Sequence, residues 1–188
     1  MSMIGIGIGN GAKSKVIGYD SANRPDNVNV GNMDTGQVWT KEQGSFGVSG
    51  NKIYCVTNTI SDSINCDFGI SDCVVSCLCR GSNSRAGLRL RAVNDLNRIA
   101  VVISSTNFIS VIEVIEGVVT QIASVESGTL YSVEHEIKCI LKGSNLKVLV
   151  NGVQKIDVGV ILSGTKHGIY NTSDATGATW DNFLVEGL

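Results

Sequence analysis

The chain has 188 residues, 43% hydrophobic and 17% charged, and carries a formal net charge of −2. That length lets one domain bury a core without disulfide or metal staples, and the apolar content excludes a disordered chain. The near-neutral charge gives no electrostatic basis for binding nucleic acid or an anionic membrane, and no apolar run reaches the roughly 20 residues that span a bilayer.

Residues 1–16 open with a Gly–Ile alternation (MSMIGIGIGNG) that reads as an extended arm in front of a single domain over 17–188. A basic leading region is missing and Gly5, Gly7 and Gly9 break the apolar run, so a signal peptide is not expected. The glycines also lack the strand, helix and GK[ST] context of a phosphate loop. Ile4, Ile6 and Ile8 are the candidate anchoring residues, able to add as a strand to a neighbour's edge.

Residues 16–39 are rich in Asn, Asp and Gly, hold the one proline, Pro25, and read as loop with short strand pieces. Residues 44–56 read as a hairpin around Gly50-Asn51, and 74–80 as a strand. Cys73, Cys77 and Cys79 share parity with Val75 and point to one sheet face, where same-strand neighbours are poorly placed to bond each other. With Cys55, Cys66 and Cys139 they are read as buried free thiols of a chain that folds in a reducing cytoplasm. A structural zinc is not expected, because there is no CxxC pair, Cys73 and Cys77 have no matching second pair, and His135 and His167 lie far from them in sequence.

Residues 86–93 (AGLRLRAV) alternate and would place Arg89 and Arg91 on one face, as candidate ligand or subunit contacts. A turn at Asn94-Asp95 leads to strands over 98–104, 108–116 and 118–125. The clearest signal is 134–158, three strands joined by turns at 143–145 and at Asn151-Gly152, the latter favoured in a type I′ hairpin. Val133, His135, Ile137, Cys139 and Leu141 fall on one face of it and Glu134, Glu136, Lys138 and Lys142 on the other, with Ile140 the exception, the alternation of an antiparallel sheet with one wet face. Strands at 168–170 and 178–185 close the chain. About a dozen short strands at ~8–12-residue spacing, with no convincing helix, predict an all-β, two-sheet antiparallel sandwich of the jelly-roll kind.

Several pieces in this order carry a family resemblance. They are residues 32–39 (NMDTGQVW), 44–48 (GSFGV) with Asn51, 86–91 (AGLRLR), 94–97 (NDLN), 143–153 (GSNLKVLVNGV), His167-Gly168 and 180–183 (WDNF). Together, over about residues 19–187, the chain resembles the concanavalin A-like (laminin G-like) jelly-roll domains found in phage structural proteins and bacterial surface proteins. The resemblance implies a curved sheet whose face or rim loops bind carbohydrate in many members, and a purely structural or docking role in others. The strand after the Asp-Asn turn carries Arg98, Ile99 and Val101 where the family is often aromatic.

Glycoside hydrolysis needs two carboxylates about 5–9.5 Å apart, and the resemblance places them on one strand as ExDxE or ExDxxE. Glu134 and Glu136 are followed by Lys138 and Cys139, and Glu113 and Glu116 are not two apart, so neither pair fits. His135 and His167 read as structural. Trp39 reads as core. Trp180 has opposite parity to Phe183 and is expected outside or under a loop, as a candidate binding or subunit-contact aromatic. Asp20, Asp26, Asp34, Asp174 and Asp181 lie near loops, where calcium could sit, but no DxDxDG loop names a ligand set, and no cofactor is assigned. The expectation is a non-enzymatic bacteriophage virion protein: a capsid decoration, head fibre, tail fibre or baseplate component. It would assemble in the host cytoplasm as a homo-oligomer, trimers being common on virions, and contact other virion proteins through its arm. The alternative is an adhesin that recognises host-surface glycan, and a glycoside hydrolase is the third reading.

Overall fold

In the computed structural model, which describes residues 14–57, 61–82, 85–172 and 177–188, the chain forms two antiparallel sheets packed face to face. Among the described residues there are fifteen strands and no helix. In chain order they are β1 (Val16–Asp20), β2 (Thr40–Gln43), β3 (Ser45–Ser49), β4 (Lys52–Thr57), β5 (Ser63–Asp67), β6 (Cys73–Arg80), β7 (Ala86–Asn94) and β8 (Asn97–Ile103). Then come β9 (Phe108–Ile115), β10 (Val118–Glu126), β11 (His135–Lys142), β12 (Asn145–Val150), β13 (Val153–Gly159), β14 (Lys166–Asn171) and β15 (Thr179–Gly187). The first sheet runs β13-β12-β11-β6-β15-β4-β3, with β1 also paired to β15. The second runs β10-β9-β8-β7-β14-β5-β2. The predicted all-β sandwich is the observed fold.

Local chemistry explains the clearest elements. Asn151 and Gly152 both have positive φ, at 48° and 77°, as a type I′ turn requires, and Gly50 and Asn51 do the same at 58° and 60° between β3 and β4. In β11, His135, Ile137, Cys139 and Leu141 are buried while the residues between them are partly exposed. In β6, Cys73, Val75, Cys77 and Cys79 are all buried in the inter-sheet core, as their shared parity predicts. None of the six cysteines is in a disulfide, and burial pushes the Cys73 thiol up to about 12.

The polar strands are the ones that composition hides. Thr40–Gln43 (TKEQ) and Ser63–Asp67 (SINCD) form β2 and β5, which pair with each other at one edge of the second sheet. Ile4, Ile6 and Ile8, the expected anchoring residues, lie outside the described residues.

Two bulges overturn parity readings. Between Asp181 and Leu184 the register of β15 against β6 shifts, with Asn182 at φ 49°. One extra residue flips the strand's facing, so Trp180 and Phe183 both enter the core, at 1% and 0% exposure. Trp180 is therefore not a surface aromatic. Its Nε1–H donates to the carbonyl of Gly87 at 3.0 Å, a hydrogen bond from the first sheet to the second. Its ring meets Phe46 edge-on, and Phe183 packs against Trp39. The second bulge lies in β7 between Leu90 and Asn94, with Arg91 at φ 43°. It turns Arg91 away from the face that Arg89 occupies, so the two arginines do not share a face.

Candidate functional site

Sheet alternation assigns the site. On β7, β8, β9, β14 and β5, the residues Leu88, Val101, Val111, Ile169 and Ile64 enter the inter-sheet core. The residues between them face the other side of the second sheet, its outer face. That face carries a second buried apolar cluster of Ala100, Val102, Ile112, Val114 and Tyr170, separate from the main core. Beside it, on β7, β14, β5 and β2, lie Arg89, Lys166, Ser63, Asn65 and Glu42. Buried polar groups at the centre of a sheet are costly unless paired, which is why this bank stands out.

Arg89 is at its centre. Its cross-strand partners are Gly168 and Ala100, two small residues that leave room for a long side chain to lie flat. A side chain at Gly168 is excluded because its Cβ would come within 2.0 Å of the Ile64 carbonyl oxygen on β5. The Arg89 Nη1 group donates to Ser63 Oγ at 2.9 Å and to Asp95 Oδ1 at 2.8 Å. Asp95 comes from the turn between β7 and β8 and is 44% exposed, whereas the Arg89 side chain is fully buried. Burial pulls the guanidinium below its usual value, opposed by the hydrogen bond and charge of Asp95.

A second arginine completes the bank. Arg98 Nη1 donates to the Asp95 carbonyl, and the guanidinium carbon lies 5.7 Å from the Tyr170 ring centroid, within cation–π range. At the far side, Glu42 Oε1 accepts from Asn65 Nδ2 at 3.2 Å and from Lys166 Nζ at 3.4 Å. Tyr170 donates its hydroxyl to Ser61 Oγ at 3.1 Å. Four buried polar atoms of the bank find no partner among the described residues: Arg89 Nε, Arg89 Nη2, Arg98 Nε and Asn65 Oδ1. At roughly 1–3 kcal/mol for each unmet buried group, the face forgoes several kcal/mol of hydrogen bonding that an incoming partner could supply.

The other candidates are spoken for structurally. Arg91 donates to the carbonyls of Ser71, Gly143 and Leu162 and pairs with Asp72 at 2.9 Å, tying the ends of β6 and β11 to β7. Glu113 accepts the backbone N–H groups of Ile161 and Leu162, which satisfies a loop end. His167 Nε2 lies 3.0 Å from the Ile70 carbonyl, while Nδ1 accepts from the Arg91 N–H at 3.4 Å; burial drops its pKa to about 4. It is a neutral core histidine. His135 places Nδ1 2.8 Å from the Val133 carbonyl and is likewise pulled down by burial. Glu134 pairs with Lys52 on the first sheet.

The aspartates do not converge. Asp20 is filled by Arg24, whose Nη1 and Nη2 groups bind its two oxygens at 2.6 and 3.0 Å, and by the indole N–H of Trp39 at 2.6 Å. Asp34 accepts from the backbone and hydroxyl of Ser21, and Asp26 from the hydroxyl of Ser49 and the backbone of Gly50. Asp174 lies outside the described residues. Among the described residues no group of three or more His, Cys, Asp or Glu side chains is placed to hold a metal ion.

The sequence nominated Arg89 and missed its partners. Ser63, Asn65 and Glu42 sit on strands with no hydrophobic pattern, and Asp95 read only as a turn. The one available signal was negative: Arg98 stands where the resemblance expects an aromatic.

No family model and no curated protein sequence matches the chain. Solved structures do match in fold. The carbohydrate binding module CBM66 from Bacillus subtilis is 16% identical with a TM-score of 0.70, over 79% of this chain and 95% of that one. Porphyranase B from Zobellia galactanivorans is 9% identical with a TM-score of 0.61, over 93% of both chains. The β-glucanase of Bacillus licheniformis is 10% identical with a TM-score of 0.61, over 93% of this chain and 98% of that one. The chain therefore has the concanavalin A-like jelly-roll fold. Nothing in these likenesses supports a bacteriophage virion role. The expectation that the chain is not an enzyme is corrected as well, since several structures of this fold are themselves glycanases.

Proposed function

We propose that the protein recognises carbohydrate on the outer face of the second sheet. The observation that carries this reading is the adjoining of two clusters of buried side chains on that face. One is apolar, with Tyr170 beside Val102 and Ile112; the other is a polar bank with unmet donors and an unmet acceptor. A sugar ring offers the complement of both, with C–H faces for an aromatic or aliphatic floor and hydroxyls for fixed polar groups. The shared fold with a carbohydrate binding module and with glycanases supports the same reading.

The test is a binding panel of β-1,3-glucan, mixed-linkage β-glucan and porphyran, by affinity electrophoresis, with reducing-end release measured in parallel. Retardation by at least one polymer, lost in Tyr170→Ala, is expected. Binding that survives substitution of both Tyr170 and Asn65 would remove the site from this face. Release of reducing ends, abolished by Glu42→Gln or Asp95→Asn, would add catalysis to recognition there.

A further inference from the structure

We infer that this site selects an anionic sugar, one carrying a carboxylate or a sulfate ester, through the side edge of Arg89. The inference rests on the carbohydrate reading above and names its substrate class.

The edge formed by Nε and Nη2 presents two parallel N–H bonds, the arrangement that matches the two oxygens of a carboxylate or sulfate. In Arg89 those are the two nitrogens without an acceptor, while Nη1 is anchored by Ser63 and Asp95. The fork is held by one nitrogen and unpaired along its recognition edge. The bank's charges are matched, with Arg89, Arg98 and Lys166 set against Asp95, Glu42 and Asp67, the last in register with Lys166. Glu42 is shared between Lys166 and Asn65, and Asp95 meets Arg89 through Nη1 alone. A carboxylate or sulfate can meet both free N–H bonds of Arg89 with charge-assisted hydrogen bonds, which are stronger than those a neutral sugar's hydroxyls would make.

Arg89 is fully buried, so its free edge is reached when an overlying group yields. Asp95 is placed to do this. It is 44% exposed, lies in a turn, and binds Arg89 through its carboxylate and Arg98 through its carbonyl. An incoming anion then meets Nε and Nη2 while Ser63 keeps Nη1.

The experiment uses matched polymers that differ only in charge: polygalacturonate against its methyl ester, and a sulfated galactan against the same galactan after desulfation. Binding of the full chain is measured by calorimetry at two salt concentrations. The acidic member of one pair should bind about tenfold or more tightly than its neutral twin. Which pair shows it distinguishes the carboxylate source from the sulfate source. Arg89→Lys keeps the charge but loses the fork, and should bring the ratio to about one to two. Arg98→Gln, at a half-buried position, serves if Arg89→Lys does not fold, and should reduce the ratio as well. Equal binding of both members of each pair overturns the anionic inference and leaves carbohydrate recognition standing. Acid preference unchanged in both variants also overturns it, as diffuse charge attraction. No binding to any of these polymers, nor to the neutral panel above, overturns the carbohydrate reading itself.

Discussion

Replacing Trp180 with phenylalanine tests the placement on which the core depends. The indole is 1% exposed and its N–H reaches the Gly87 carbonyl in the opposite sheet at 3.0 Å. Phenylalanine removes that donor and leaves a buried carbonyl short of a partner, at about 1–3 kcal/mol. It also deletes two buried ring carbons, worth roughly 1.5 kcal/mol at about 0.8 per buried carbon group. The expected loss is about 2.5–4.5 kcal/mol of unfolding free energy. Urea unfolding followed by far-UV circular dichroism measures it without relying on the fluorophore that is removed. A surface aromatic, as strand parity alone suggests, would change stability by no more than about 0.5 kcal/mol. A loss that small would refute both the buried placement and the bulge at Asn182 that produces it.

Gly87→Ala should cost far more than Gly143→Ala. A Cβ at Gly87 would meet the Val101 carbonyl oxygen at 2.0 Å, whereas Gly143 has open space and only its positive φ of 54° to lose; paired thermal melts give the comparison. His167 titrates near 4 when folded and near 6.5 when unfolded. The unfolded chain then binds the extra proton between those values, so stability is full above about pH 6.5 and falls as pH drops toward 4, by up to about 3 kcal/mol. Unfolding of His167→Gln across that range should have a shallower pH slope than wild type, and an unchanged slope would assign the dependence elsewhere. Thiol titration with an aromatic disulfide reagent should label no more than one of the six cysteines rapidly in the native protein, Cys55 being the one not buried, and all six in denaturant. Rapid native labelling of Cys77, Cys79 or Cys139, whose thiols burial pushes up, would contradict the packing of β6 against β11.

The strands that announced themselves are those with one wet face and a turn that demands positive φ. The alternation of β11 and the Asn151-Gly152 turn identify a hairpin because each position has one tolerable environment. The strands that stayed hidden are rich in polar residues. Ser63–Asp67 has four buried residues of five, two of them Ser63 and Asn65, so its burial comes from where it pairs and not from its composition. Thr40–Gln43 is an edge strand with no apolar residue at all. Periodicity reads burial, and where burial falls on polar side chains the period has nothing to register.

The site was lost for a related reason, and the bulges show why. A single inserted residue reverses every facing beyond it. At Asn182 that moved Trp180 from a nominated contact into the core, and at Arg91 it parted two arginines that alternation had paired. Arg91 became a clamp with all three guanidinium nitrogens satisfied by Ser71, Asp72, Gly143 and Leu162. Arg89, before the bulge, kept its predicted direction and met partners from β5 and the following turn, 26 and 6 residues away in sequence. Two neighbouring residues of the same type thus differ in one measurable respect, the number of donors left unmet. That difference is a property of assembled strands, and it makes Arg89 the residue through which ligand recognition should be tested.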